Sequence, residues 1–155
     1  MFGADAGTQH RIVLIPRLRP TPPNVRDVGV PLRVLVVDDE DLVRQELASL
    51  IRVMWFSLRS GAIEVRTAAT PDEALREIQC DGADVVVLDV DLAGADGLAL
   101  LPQMLPVARV LVWSGQCGDA TRKRALALGA DAFVDKGEPA QVLMAHLARL
   151  ALPAV

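Results

Sequence analysis

Four apolar runs in this chain stop on residues that can do chemistry. RVLVV (33–37) runs into Asp38, Asp39 and Glu40, and VVVL (85–88) runs into Asp89, with Asp91 two positions on. ARVLVW (108–113) stops at Ser114 and Gly115, and AFVD (132–135) stops at Lys136. Carboxylates held within reach of one another repel, so protons or a cation must compensate. Mg2+ (or Mn2+), a hard ion that prefers oxygen ligands, is the natural partner for Asp38, Asp39 and Asp89. The chain has 14 arginines and only 2 lysines, which makes a lysine at a strand end stand out. A compact ammonium on a flexible stem can reach a phosphoryl oxygen. Ser114 adds a hydroxyl donor, and Gly115 lets backbone approach an anion. A carboxylate nucleophile, a cation, an ammonium and a hydroxyl are together what phosphoryl transfer onto an aspartate requires. Taken singly, each residue also has a plain structural role: acidic pairs cap helices, a strand-end serine caps a turn and a strand-end lysine is solvated. Agreement among four strand ends favours the shared chemistry.

Those residues meet only if the elements bring them to one rim. Apolar strands alternate with amphipathic helices, the pattern of a parallel sheet covered on both faces. The strands are expected at 33–37, 63–67, 84–89, 108–114 and 132–136. Helix one is expected from Asp41 to about Leu58, with Val43, Leu47, Leu50, Ile51, Met54 and Leu58 on its core stripe. Trp55 and Phe56 fall off that stripe, and a covering segment such as IVLI (12–15), or a partner, is one account of them; an overlong helix is the other. Thr70-Pro71-Asp72-Glu73 signals the start of helix two, which runs to about Cys80. Asp96 and Gly97 open helix three, which Pro102 should kink or shorten. Helix four runs from about Asp119 to a carboxyl cap at Gly129, and the last helix starts at Pro139 with Leu143, Leu147 and Leu150 inward. The expected architecture is α/β, (βα)5. Strands one, three and four are continuously apolar and strand two alternates, which suits the order 2-1-3-4-5. In such sheets ligands bind at the carboxyl ends of the strands, near the switch between strands one and three.

Composition sets the outer bounds. The chain has 155 residues, 52% apolar and 23% charged, room for one full-sized domain. No apolar run approaches the roughly 18 residues that span a bilayer, so membrane insertion is not expected, and IVLI is too short for a secretory signal. A cytoplasmic location is the expectation. Cys80 and Cys117 have the spacing of neither a zinc site nor a disulfide framework. With a net charge of −4 and no basic helix interleaved with aromatics, direct DNA binding is not expected. Five of ten prolines lie in residues 1–31, with four arginines against two aspartates. That composition suggests a poorly structured extension ahead of a domain at 32–152, with too few residues after it for an output domain.

VLVVDDED, VVVLDVDLAGADG, VLVWSG and GADAFVDKGEP resemble the receiver domain of two-component response regulators, over roughly residues 32–150. The resemblance implies a flavodoxin-like, doubly wound sheet and a phosphoacceptor rather than a conventional enzyme. It implies that Asp89 takes a phosphoryl group from a sensor histidine kinase or a histidine phosphotransfer protein. Asp38, Asp39, Asp89 and the backbone carbonyl of Asp91 would hold the metal, and Lys136 would pair with the phosphoryl group. Ser114 and Phe133 would switch, and Asp91 and Gln116 would tune phosphoryl lifetime. Signalling would go through the face of helix four, strand five and helix five, about residues 117–150, to a downstream protein or a second copy. The chain departs from the family pattern at Leu92-Ala93, where Met-Pro is usual, and at Gly137, where proline is usual. Phe133 also lacks the hydroxyl of a tyrosine.

Two other classes share some of these signals. Asp89-Val90-Asp91 looks like the first motif of haloacid-dehalogenase-type phosphatases, but there the nucleophile strand comes first and the metal-binding acids last. The third class is a receiver-like interaction module that never takes a phosphoryl group.

Overall fold

The computed structural model describes residues 30–58, 61–115 and 118–151. IVLI, nearly all of the amino-terminal extension and Gln116 lie outside these residues, so the expectations placed on them have no structural counterpart here. The chain runs β1 (Leu32–Val37), α1 (Asp41–Ser57), β2 (Ile63–Ala68), α2 (Pro71–Cys80) and β3 (Val85–Leu88). It continues through a 3-10 stretch (Gly97–Leu100) into α3 (Leu101–Met104), then β4 (Arg109–Ser114), α4 (Asp119–Ala127), β5 (Ala132–Asp135) and α5 (Ala140–Ala151). The five strands form one sheet in the order β2-β1-β3-β4-β5, every pair parallel, as the strand character predicts. A short antiparallel pair, Asp91–Leu92 with Ala95–Asp96, sits between β3 and the 3-10 stretch.

Side chains alternate across the sheet into two cores. Leu35, Val37, Val86, Leu88, Val110, Val112 and Phe133 face a layer that includes Leu98, Leu101, Met104 and Ala125 from the α3 and α4 side. Val34, Val36, Val85, Val87, Leu111 and Val134 face Leu47, Ile51 and Trp55 of α1 and Leu143, Met144 and Leu147 of α5. With helices on both faces, the central strands must be apolar on both, which is why β1 and β3 read as unbroken runs.

Start and stop signals are realised where the sequence placed them. Thr70 Oγ1 accepts from the Glu73 nitrogen at 3.2 Å, and Glu73 Oε2 accepts from the Ala69 nitrogen at 2.7 Å. Gly129 closes α4 at φ +102, a conformation that suits glycine. Helix three is only four α-helical residues long, with Pro102 in its first turn.

The core stripes of α1 and α5 differ from the expected ones. Trp55 is fully buried, whereas Met54 is half-buried and Leu58 is exposed. Leu47, Ile51 and Trp55 are spaced by four, so the inward stripe is tilted from the one chosen on apolar content alone. Phe56 lies off the core stripe and is exposed. On α5, Met144 and Ala151 are buried with Leu143 and Leu147, while Leu150 is half-buried.

Candidate functional site

The register explains why the four polar strand ends meet. Val37, Leu88, Val112 and Phe133 lie in one row across the central strands. The next residues along β1 and β3, Asp38 and Asp89, therefore emerge side by side at the carboxyl rim. Both are buried, at 1% and 6% exposure, and ligand oxygens of Asp38, Asp39 and Asp89 all lie within 4.8 Å of one another. Three carboxylates on a half-open rim, with Asp39 the more exposed, match the oxygen-rich donor set of a hard divalent cation, and the residues fit Mg2+.

Lys136 closes the cluster from β5. Its Nζ donates to Asp38 Oδ2 at 2.7 Å and Asp89 Oδ2 at 3.2 Å. Burial opposes its charge, but the hydrogen bonds and negative charge of Asp38 and Asp89 outweigh that, so its pKa lies above the ordinary lysine value. The Asp89 carboxyl is also raised, from its ordinary 3.8 to about 6. Desolvation is the chief cause; Lys136 pulls the value down, and the charge of Asp38 adds to the rise. Asp38 is held by its own loop, with Oδ1 accepting from the Glu40 nitrogen at 2.9 Å, and Arg44 donates to its backbone oxygen at 2.9 Å.

Position distinguishes Asp89 from the other aspartate of DVVVLD. Asp84, at the opposite end of β3, is also buried, but its Oδ2 accepts from the Arg33 nitrogen at 2.8 Å and its Oδ1 from the Arg33 guanidinium at 3.3 Å. Asp84 is a partnered brace between β1 and β3. Asp89 shares its cation with Asp38 at a rim that other acids line.

The remaining predicted residues take separate places. Ser114 is fully buried at the end of β4, and its backbone oxygen accepts from the Lys136 nitrogen at 2.9 Å. Phe133 is buried on β5 with the Arg122 guanidinium 5.0 Å from its ring centroid. Asp91 is exposed, and its Oδ1 accepts from the Gly94 nitrogen at 3.1 Å. Asp91, Asp96 and Arg124 line a shallow polar pocket beside the acidic cluster, with Arg124 paired to Asp96.

Three contributors escaped the sequence reading. The Ala93 nitrogen donates to Asp39 Oδ2 at 3.1 Å, a bond that proline at this position could not make. Ala93 adopts φ +54 to do so. Gly97 packs against the backbone of Asp89, where a Cβ would stand 2.0 Å from the carbonyl oxygen. Trp113 places its ring centroid 4.8 Å from Lys136 Nζ. Only Gly97 carried a local signal, as a glycine after an aspartate in a loop; the other two contacts depend on which loops come together.

An acidic pocket at the carboxyl ends of a 2-1-3-4-5 parallel sheet, with a lysine bridging two of the acids, defines a site class rather than a whole protein. The chain belongs to the response regulator receiver domain family, whose model matches residues 34–148. It is 37% identical over 110 residues to a protein-glutamate methylesterase/protein-glutamine glutaminase of Xanthomonas oryzae pv. oryzae, a match covering 68% of this chain and 29% of that protein. A Rhodopseudomonas palustris protein of the same name is 38% identical over 104 residues, covering 64% of this chain and 26% of it. The chain thus spans less than a third of the curated relatives it matches. The receiver domain of NtrX from Brucella abortus is 32% identical with a TM-score of 0.63, over 76% of this chain and 97% of that one. A Burkholderia pseudomallei response regulator, solved with a phosphorylated aspartic acid, a calcium ion and citrate, is 29% identical with a TM-score of 0.63, over 75% of this chain and 66% of that one. Among the described residues no helix is long and apolar enough to cross a membrane.

Proposed function

We propose that Asp89 is a phosphoacceptor charged by the phosphohistidine of a sensor histidine kinase or a histidine phosphotransfer protein. An Asp89 carboxylate oxygen forms the new P–O bond, the P–N bond breaks, and its electron pair returns to the imidazole. The observation that carries this reading is the Asp38–Lys136–Asp89 bridge beside Asp39. One buried carboxylate sits among cation-binding oxygens, with an ammonium ready to pair with a new anion.

Asp38, Asp39 and Asp89, with the Asp91 carbonyl, would hold Mg2+ or Mn2+, which supplies charge neutralisation between the carboxylate and the incoming phosphoryl oxygens. Lys136 transfers its pairing to the phosphoryl group. The Ser114 hydroxyl donates to it, and Phe133 changes its packing in response. Asp91 and Gln116 tune how long the acyl phosphate survives. The signal leaves through α4, β5 and α5, about residues 117–150, by contact with another protein or a second copy. Residues 1–31 form an extension outside the receiver domain at 32–152, in a cytoplasmic protein. The methylesterase activity of the curated relatives is no part of this reading.

Incubating the full chain with Mg2+ and a small phosphodonor, then measuring intact mass, tests the proposal. One added phosphoryl group, absent in Asp89→Asn and absent with EDTA, is expected. No added mass, or undiminished addition in Asp89→Asn, overturns it.

A further inference from the structure

A lysine at a strand end has four methylenes of freedom, and two carboxylates fix only its tip. Ordering such a side chain costs rotamer entropy, so something must limit its swing if it is to stand ready. The third neighbour of the Lys136 ammonium is aromatic: the Trp113 ring centroid lies 4.8 Å from Nζ, inside the distance at which a cation is drawn to an indole face. The backbone fixes this relationship. Trp113 pairs with Val134 in the β4–β5 register, and the Lys136 nitrogen donates to the oxygen of Ser114, the residue after Trp113. Trp113 packs with the α1 and α5 layer and is half-buried, so its ring is anchored below while reaching the rim above.

We propose that Trp113 is a positioning residue for Lys136: its ring is the third wall of a seat whose other walls are Asp38 and Asp89. The ammonium is held over the acidic cluster before a phosphoryl group arrives and is kept from bulk water when its pairing shifts away from the carboxylates. Valine or leucine would fill the same half-buried place without attracting the cation, so a core role alone does not account for an aromatic here. The consequence for phosphoryl uptake rests on the phosphoacceptor role of Asp89; the seat itself does not.

The test separates the two. The full chain is grown with tryptophan carrying one to three ring fluorines, which keep the ring's shape while draining its negative face. The Lys136 Nζ resonance is followed by 15N NMR without metal or phosphodonor, and phosphoryl uptake is measured in parallel. A stepwise shift of that resonance with fluorine number is expected, with uptake slowed about three- to tenfold at the highest fluorination. The Lys136 resonance should not respond to fluorination in Trp113→Leu, where only Trp55 is labelled, and uptake there should match the fully fluorinated chain. A resonance indifferent to fluorination overturns the seat. A resonance that moves while uptake stays constant overturns the positioning role. If the unlabelled chain takes up no phosphoryl group at all, the phosphoacceptor reading fails, and the resonance series still decides the seat.

Discussion

The Gly97 backbone lies directly against the Asp89 carbonyl: the Gly97 nitrogen donates to the Val90 oxygen at 2.6 Å, and a Cβ on Gly97 would stand 2.0 Å from the Asp89 oxygen. The loop that follows β3 folds back and locks Asp89, the proposed acceptor. Because the obstacle is backbone, no rotamer change can make room. Gly97→Ala is therefore expected to destabilise the chain by about 1–3 kcal/mol in urea unfolding and to slow phosphoryl uptake by displacing Asp89. Gly118, where an added Cβ would meet no atom within 4 Å and the backbone is extended at the amino cap of α4, is the control. Gly118→Ser should leave stability unchanged or slightly raised.

The raised pKa of Asp89 fixes the sign of a pH effect in EDTA. In the unfolded chain the carboxyl ionises near its ordinary value of 3.8, whereas in the folded chain it holds its proton up to about 6. Between roughly pH 4 and pH 6 the folded state binds the extra proton, so this group's contribution to stability falls as pH rises through that window and is constant above it. Asp89→Asn removes the titration. The variant should match the wild type near pH 4 and exceed it by about 1–3 kcal/mol at pH 7, measured by urea unfolding at both values. A constant difference between the two proteins across pH 4 to 7 would show that Asp89 ionises normally.

The sheet order, the helix starts and the acidic strand ends were legible because each depends on a short-range pattern: unbroken apolar runs, a Thr-Pro-Asp-Glu cap, polar residues at the ends of four runs. What was not legible depends on contacts between segments far apart in the chain. The Ala93 nitrogen reaches Asp39 across 54 positions, and nothing in Leu92-Ala93-Gly94 announces that an N–H is wanted there. Helix one shows the limit within a single element. The apolar pattern predicts one core stripe, through Met54 and Leu58 with Trp55 off it, whereas the tilt of α1 on the sheet turns Trp55 inward and leaves Leu58 exposed.

That tilt gives Trp55 a measurable role. Being fully buried between α1 and the sheet, it should cost about 3–5 kcal/mol when truncated in Trp55→Ala, while Phe56→Ala, at an 84% exposed position, should change stability by less than about 0.5 kcal/mol. Thermal unfolding of the two variants side by side checks the assignment. Equal effects would return Trp55 to the surface.

Lys136 occupies the acidic cluster as an internal counter-ion, and that sets it in competition with a metal. Its ammonium neutralises part of the charge of Asp38 and Asp89, the carboxylates that fit a divalent cation. Removing it has two opposite consequences. Without metal, Lys136→Met leaves two buried carboxylates facing each other with no cation between them, and the chain should lose stability at neutral pH. With metal, the positive charge that repels the incoming ion is gone, and at a few ångströms in a partly buried site that repulsion is worth more than about 1.4 kcal/mol, so Mg2+ should bind roughly tenfold more tightly or better. Phosphoryl uptake should nevertheless fall, because the ammonium proposed to pair with the new anion is absent. Calorimetric titration of Mg2+ into wild type and Lys136→Met, set beside intact-mass measurement of uptake, checks both signs. Weaker metal binding in the variant would mean that Lys136 orders the carboxylates more than it repels the ion.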